Sequence, residues 1–551
     1  MTGPSPSTLQ EMVLGLDHES RGMTFGGAED TPVTYAELAV RAREVAGGFL
    51  NAGAKPGDRV ILVLPDERQF VEAFLGSVVA GLVPVPLFPP FMLAQLDSYL
   101  LHTERIVRQC ESKLIVTIPE IAQVLAGPTE HRCISMADLQ LDPDVALPRV
   151  KPDDMAFIQY TSGSTSDPKG VVNTHRCLLD NVADFVHHMR LDPEHDWGVT
   201  WLPLYHDMGL IGGVMMPASL QGSVWFMPPL QFARNPTSWF DLMHEVRATT
   251  TFAPNFGYGL VTRRATDEQL EGWDFSCLRL AGCAAEPIRP DVLRAFERRF
   301  APAGLSEKAL LPCYGLAEAT LGVTLSEIDA PWGSQRLDAE RLRTDGVIRE
   351  PEDGDEVLEV VSCGRPLPSY RVRIVDEAGR PIAENREGEI EIQTPCLTSG
   401  YYCDADATAE AIHDGWLATG DLGFQCDGEL YVTGRSKDVL IVNGRNIHPQ
   451  DIEWCAAEVD GVRPGNVVAC PQPTQAGEEV LIVLEASVQN DHDGLRRRVA
   501  AHVRSQCRVP VAAVVVLEKG TLPKTTSGKL RRRATRDAYE RGDLAVATPA
   551  A

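Results

Sequence analysis

The sequence predicts an α/β fold: a large N-terminal domain of layered sheets and helices with a β-rich subdomain, and a small mobile α+β C-terminal domain. With 551 residues, the chain exceeds one ordinary hydrophobic core, so at least two domains are expected. Between residues 34 and 150, helical patterns alternate with short β-branched runs at 59–65 and 113–119. This alternation is typical of helices that cover a mostly parallel sheet.

The pattern changes twice farther along the chain. From about residue 371, short strands alternate with Gly, Asp and Asn turns, which predicts a β-rich subdomain at about 365–436. After the motif GRSKD at 434–438, apolar runs alternate with helical segments. We therefore expect an N-terminal domain over residues 1–436 and a C-terminal domain over residues 437–551.

An acidic stretch at about 330–360 has the pattern of a solvated loop, with a strand at 357–361.

Composition excludes several classes of protein. A net charge of -26 repels phosphate backbones, so nucleic acid is not an expected partner. The 13 cysteines are odd in number and contain no C-x-x-C pair, which disfavours a disulfide framework or a zinc site and favours a reducing cytoplasm. The N-terminus lacks the basic and apolar regions of a signal peptide, and we expect no membrane span.

The segment YTSGSTSDPKG at 160–170 has the composition of a phosphate-binding loop. It follows an apolar run, and after Tyr160 it combines five serine and threonine hydroxyls, two glycines and Lys169. Glycines let backbone N–H groups approach phosphate oxygens, hydroxyls donate hydrogen bonds, and lysine adds a charge-assisted one. The alternative is a Ser/Thr/Gly linker. The loop is not a Walker A sequence.

Four further motifs follow in order: YGLAE at 314–318, TGD at 419–421, GRSKD at 434–438 and PKTTSGK at 523–529. Together with the loop, they resemble the signature motifs of the adenylate-forming superfamily, which includes acyl-CoA synthetases, firefly luciferase and adenylation domains of peptide synthetases. The resemblance implies that a carboxylic acid is activated by ATP as an acyl-adenylate, with Mg²⁺ as the second cofactor. It also implies that residues 1–436 form the adenylation domain.

The resemblance also assigns nucleotide-binding residues. Tyr314 would face the adenine ring, Asp421 would accept the ribose hydroxyls, and Glu318 with Thr165 would hold Mg²⁺. Ala284 replaces a glycine that is usual in the family's adenine-edge segment. The implied ATP- or AMP-binding residues are Thr161, Ser162, Gly163, Ser164, Thr165, Lys169, Ala284, Ala285, Glu286, Tyr314, Gly315, Leu316, Glu318, Asp421, Arg435 and Lys529.

Three residues are implied to be catalytic: Lys529, His206 and Lys169. A lysine between the reacting carboxylate and the α-phosphate would offset the repulsion of two anions. His206 would lie near the acyl carboxylate, although a lone histidine is more often structural. Lys437 resembles the hinge about which the C-terminal domain turns between the two half-reactions.

Several features resemble the fatty acyl-AMP ligase branch of the superfamily: the segment WLPLYHDMGLI at 201–211, Ser166 in the loop, the segment at 441–453, and the insertion at about 330–360. The branch implies a fatty or related carboxylic acid as substrate. It also implies transfer of the acyl group to a phosphopantetheinylated acyl carrier protein, or to a carrier domain of a polyketide or peptide synthase. The insertion is then expected to hinder formation of a CoA thioester.

Two other functions remain open at this stage: an acyl-CoA ligase, and a catalytically silent adenylate-binding protein. The methionines and aromatics between residues 208 and 232 could form core or line an acyl tunnel. The basic triplets at 496–498 and 531–533 could be exposed helix charge or a docking face for an acidic carrier.

Overall fold

The computed structural model of the protein describes residues 5–90, 96–125, 131–161, 168–442, 445–474, 477–487, 491–525 and 529–547. The first part of the chain builds a parallel sheet of order β4-β3-β5-β6. Its elements, with β1 and β2, are α1 (Leu9–Leu14), β1 (Gly22–Phe25), β2 (Val33–Thr34), α2 (Tyr35–Asn51), β3 (Arg59–Val63), α3 (Glu67–Val79), β4 (Val83–Pro86), α4 (Leu96–Gln109), β5 (Leu114–Thr117), α5 (Pro119–Leu125) and β6 (Arg132–Ile134).

The next part supplies most of the main sheet. Its elements are β7 (Met155–Thr161), β8 (Lys169–Thr174), α6 (His175–His188), β9 (Gly198–Thr200), a π-helix (Met208–Met215), α7 (Met216–Leu220), β10 (Val224–Phe226), α8 (Pro229–Arg234), α9 (Thr237–Glu245), β11 (Thr250–Ala253), α10 (Asn255–Arg264), α11 (Asp267–Gly272), β12 (Leu280–Cys283), α12 (Pro290–Phe300), β13 (Leu310–Gly315) and β14 (Gly322–Leu325).

The main sheet has nine strands, and six of them, in the order β13-β12-β11-β9-β10-β1, are parallel neighbours. The carboxyl ends of these strands therefore lie along one edge, where open α/β sheets bind ligands. One apolar face of the sheet packs on α9, α10 and α12 through large buried rings such as Trp239, Tyr258 and Phe296. The predicted α/β fold class is confirmed.

The acidic stretch at 330–360 is folded, so its interpretation as a solvated loop is wrong. Strand β15 (Ser334–Asp338) pairs antiparallel with β16 (Val357–Val361), and α13 (Ala339–Asp345) follows β15. Leu337, Leu342 and Val360 are buried against Phe424 and Tyr431 of the next subdomain. These few apolar residues anchor a segment whose charged majority hides its structure from a composition argument.

The β-rich region contains β17 (Arg365–Pro366), β18 (Arg371–Val375), β19 (Gly388–Gln393), α14 (Ala405–Ala411), β20 (Ile412–His413), β21 (Trp416–Cys426) and β22 (Glu429–Arg435). Strands β18 to β22 form one five-stranded antiparallel sheet, and β17 joins the main sheet. A short turn of helix, Ser436–Asp438, carries the exposed Lys437 and leads out of β22. This turn is the place where we expect the hinge.

The remaining residues form a mixed three-stranded sheet with helices on it. They are β23 (Leu440–Val442), β24 (Arg445–Ile447), α15 (Pro449–Ala457), β25 (Val462–Thr474), β26 (Gly477–Ala486), α16 (His492–Gln506), β27 (Val511–Leu517) and α17 (Arg532–Arg541). Their apolar residues form a core of their own. All thirteen cysteines of the chain are free thiols. Within the described ranges, no helix is both long and apolar enough to cross a bilayer.

Candidate active site

Asp421 joins three segments that are far apart in the sequence. Its Oδ2 accepts a hydrogen bond of 2.7 Å from the Tyr314 hydroxyl at the carboxyl end of β13. Its Oδ1 accepts one of 3.0 Å from Nε of Arg435, at the end of β22. Asp421 is only 7% exposed, and a buried carboxylate requires such partners. Three residues expected at the nucleotide site therefore meet.

The Thr-Gly-Asp turn fixes the direction of this carboxylate. The Thr419 hydroxyl donates to the Ile390 carbonyl at 2.7 Å and accepts from the Asp421 N–H at 3.0 Å. Gly420 has φ +71°, a conformation that costs glycine little and other residues more. The turn thereby fixes the carboxylate of Asp421 between Tyr314 and Arg435.

The segment after β12 has an unusual backbone. Ala285 has φ +71° although it is not glycine, and such strain is often found at functional sites. Glu286 accepts a hydrogen bond of 2.6 Å from the Phe256 N–H. Burial raises the pKa of Glu286, whereas the charge of Lys529 opposes that rise. The charge of Lys529 thus acts on Glu286, which follows Ala284 and Ala285 directly in the chain.

Tyr401 links Glu318 to Lys169, and sequence reasoning missed it. The Tyr401 hydroxyl donates to Oε1 of Glu318 at 2.9 Å. The ammonium of Lys169 lies 4.6 Å from the centroid of the Tyr401 ring, within cation–π range. Burial raises the pKa of Glu318, the Tyr401 hydrogen bond opposes this rise, and the charge of Asp207 adds to it. No motif spacing marks Tyr401; it lies in a loop between β19 and α14.

The charge of Lys529 acts on His206, although the two residues belong to distant parts of the chain. Burial, together with the charge of Lys529, lowers the pKa of His206 to about 3. Burial likewise lowers the pKa of Lys529, and the nearby charge of Asp207 opposes that shift. Lys529 is nevertheless exposed to solvent. His206 is neutral at neutral pH, because its pKa lies far below that range.

The phosphate-binding loop is described only at its ends. Thr161 of β7 stands opposite Lys169 of β8 in an antiparallel pair, so both flanks of the loop are fixed. Ser162, Gly163, Ser164, Thr165 and Ser166 lie outside the described residues.

The fold itself explains why glycine stands at position 315 and leucine at position 316. A Cβ at Gly315 would lie 2.0 Å from the Leu321 carbonyl oxygen, so a bulge of β13 requires glycine there. Leu316 packs on the hydrophobic core.

The model of the AMP-binding enzyme family matches residues 18–402. This chain belongs to the AMP-binding enzyme family. It is 36% identical over 517 residues to a Caulobacter vibrioides protein provisionally called an acyl-CoA synthetase, covering 92% of this chain and 90% of the relative. It is 35% identical over 547 residues to 4-hydroxyphenylalkanoate adenylyltransferase of Mycobacterium marinum, covering 92% of this chain and 86% of the relative.

Solved structures of the family have the same fold. One from structural and functional studies of fatty acyl-adenylate ligases from E. coli and L. pneumophila superposes with a TM-score of 0.91 at 36% identity, over 97% of this chain and 98% of that chain. The predicted superfamily is therefore confirmed, and so is the similarity to the fatty acyl-AMP ligase branch. The roles of individual residues stay predictions.

We predict that Tyr401→Phe moves the acidic limb of the pH–activity profile to higher pH. Glu318 must be ionised to hold a cation, and burial already raises its pKa. Without the Tyr401 hydrogen bond, that pKa rises further, so less carboxylate is ionised at a given acidic pH. ATP–pyrophosphate exchange measured across the acidic and neutral range checks this, with Tyr402→Phe as the matched control. An unshifted limb in Tyr401→Phe contradicts the assignment.

Proposed function

We propose that the protein activates a fatty or related carboxylic acid with ATP, forming an acyl-adenylate and pyrophosphate. It then transfers the acyl group to the phosphopantetheine thiol of an acyl carrier protein or of a carrier domain. The observation that carries this proposal is the meeting of Tyr314, Asp421 and Arg435 through two hydrogen bonds. The charge of Lys529 acts on His206 and Asp207, and the charge of Asp207 acts on Glu318. The thirteen free thiols support a reducing, cytoplasmic location.

The nucleotide would occupy the crevice in one orientation. Asp421 would accept the ribose hydroxyls, Tyr314 would lie against adenine, and Lys169 would meet the phosphates. Glu318 fits a hard cation, because its buried carboxylate lies near the second negative charge of Asp207. Glu318, with Thr165, would hold Mg²⁺, which when bound supplies positive charge to the phosphates.

The chemical step joins two anions. A carboxylate oxygen attacks the α-phosphorus of ATP, the bond from that phosphorus to the bridging oxygen breaks, and pyrophosphate leaves with the electron pair. Lys529 offsets the repulsion between the carboxylate and the α-phosphate. His206, which is neutral, can hold the acid through a hydrogen bond without adding charge. In the second step the thiolate attacks the acyl carbon, and AMP leaves.

The acyl chain would lie between the main sheet and the π-helix. Met208 and Met216 line a cavity there, and Met216 also belongs to a hydrophobic core. Met215, Phe226, Met227 and Phe232 are buried in the hydrophobic cores. Part of the methionine and aromatic run between residues 208 and 232 therefore lines the cavity, and the rest forms hydrophobic core. A mostly apolar cavity fits the tail of a fatty acid.

The insertion contacts the C-terminal part of the chain through charges. Glu340 of α13 lies 2.6 Å from Arg445 of β24. Arg343, which is 7% exposed, lies 2.6 Å from Glu356 and 3.9 Å from Asp451 of α15. These contacts hold the C-terminal domain where Lys529 faces His206, and they oppose the rotation expected for thioester formation with CoA. We therefore favour a carrier protein as acceptor. The acyl-CoA ligase is the second candidate, because a relative bears that provisional name.

One basic residue of the suggested docking face is structural. Arg532 pairs with Asp438 and with Glu453, both at 2.7 Å, and Glu453 is buried. Treating the whole triplet 531–533 as a docking face is therefore wrong. Arg531 and Arg533 are exposed and remain candidates for contact with an acidic carrier.

We predict that Lys529→Ala lowers acyl-adenylate formation by roughly 100- to 1000-fold and leaves ATP binding near normal. The reason is that the lysine acts on charge that develops in the transition state. Pyrophosphate release with a panel of fatty acids measures the first quantity, and calorimetry with ATP the second. Lys519→Ala, an exposed lysine of the same domain, is the control. Near-normal pyrophosphate release from Lys529→Ala would refute the role.

We predict that Glu340→Arg increases CoA thioester formation by roughly fivefold, because a like-charge contact with Arg445 would weaken the insertion's hold by about 1 kcal/mol. The double exchange Glu340→Arg with Arg445→Glu should restore the wild-type ratio of carrier to CoA product. Thioester products are counted by mass spectrometry, while pyrophosphate release serves as the control for the first step. A ratio that does not change in the single variant contradicts the proposed hold.

A further inference from the structure

The cavity beside the π-helix is walled by small and apolar residues. Gly198 of β9 pairs in register with Val224 of β10 and Thr250 of β11, so these three residues share one face of the sheet. All three line the cavity. On the opposite wall are Met208, Gly212 and Met216, spaced four residues apart and therefore on one side of the helical segment.

The cavity runs from the carboxyl to the amino ends of the strands. Leu202 and Met208 line its near end and are the lining residues nearest in sequence to His206 and Asp207, whereas Asp196 and Trp197 line its far end. Between these ends, strand β9 (Gly198–Thr200) spans about 10 Å at ~3.3 Å per residue. This length suits an extended acyl chain whose carboxylate stays in the crevice.

The far end of the cavity is charged. Asp196 lies 2.7 Å from Arg279 and accepts a hydrogen bond of 3.1 Å from the Thr249 hydroxyl. An alkyl tail that reaches this ion pair must displace it or stop, because breaking a partly buried pair leaves a charge without its partner. The near and middle parts are apolar, so each methylene placed there gains roughly fourfold in affinity.

The three glycines of the π-helix face different surroundings. A Cβ at Gly209 would lie 2.2 Å from the Pro203 carbonyl oxygen, and one at Gly213 would lie 3.3 Å from Cγ2 of Thr200. A Cβ at Gly212 would have no heavy atom within 4 Å. Gly212 also lines the cavity, so it is the glycine of this helix that leaves open space there.

We propose that Gly212 determines acyl specificity, and that the protein selects unbranched acyl chains of medium length that end at the Asp196–Arg279 pair. This inference rests on the proposed function, because the cavity is taken to receive the tail of the activated acid. A larger side chain at position 212 fills the space that the middle of the tail occupies. Shorter acids then become the better substrates.

The test compares straight-chain acids from butyric to palmitic in wild type, Gly212→Ala and Gly212→Leu, using kcat/KM for acyl-adenylate formation. In wild type, kcat/KM rises with length and falls once the tail meets Asp196. Gly212→Leu should move the optimum to a shorter acid, lower kcat/KM for the wild-type optimum by more than about tenfold and spare butyric acid. Gly212→Ala should shift the optimal chain length less than Gly212→Leu does. Gly272→Leu, which also adds a side chain into open space but on another helix, should keep the wild-type profile.

A second measurement separates this inference from the proposed function. Affinities of hydrolysis-resistant acyl-sulfamoyl adenosines of increasing chain length need no turnover, and thermal unfolding of each variant reports its folding. If no acid is adenylated but Gly212→Leu still weakens binding of the longer analogues, the proposed function fails and the specificity role stands. If wild type and a folded Gly212→Leu show the same dependence on length in both measurements, the inference is overturned.

Discussion

The carboxylate of Asp421 is the interaction on which the candidate site depends. It is buried, so its desolvation must be offset, and it receives the Tyr314 hydroxyl on one oxygen and Arg435 on the other. One partner ends a strand of the main sheet and the other ends the last strand of the β-rich region. The ion pair between Asp421 and Arg435 therefore also fixes Arg435, the residue immediately before the turn at 436–438.

Ion pairs connect the segments on the two sides of that turn. Past it, Arg532 pairs with Asp438 and the buried Glu453, which ties α17 to the start of the C-terminal domain. Across the junction, His448 lies 3.2 Å from Glu387. A Cβ at Gly434 would lie 2.4 Å from the His448 ring nitrogen, so glycine permits this close approach. These contacts, with those of the insertion, connect the C-terminal part of the chain to the part before the turn.

Sequence reasoning identified the family, because its motifs are short and local. The motifs around Tyr314, Asp421 and Arg435 are ordered along the chain, and the structure brings these three residues into contact. It failed where a role depends on contacts between distant segments. Tyr401 meets Glu318 across 83 positions, and Arg532 meets Asp438 across 94. A pattern that covers a short stretch of sequence cannot reveal contacts between residues so far apart in the chain. The insertion was misjudged because three buried apolar side chains, and not its many charges, decide that it folds.

In the proposed reaction, the carboxylate attacks the α-phosphorus of ATP. Incubating the enzyme with an ¹⁸O-labelled carboxylic acid, ATP and a carrier protein, then analysing the nucleotide by mass spectrometry, tests this attack directly. We expect AMP that carries one ¹⁸O from the acid, together with unlabelled pyrophosphate, because the P–O bond formed in the first step stays with AMP when the thiol takes the acyl group. Formation of ADP with labelled inorganic phosphate would contradict it.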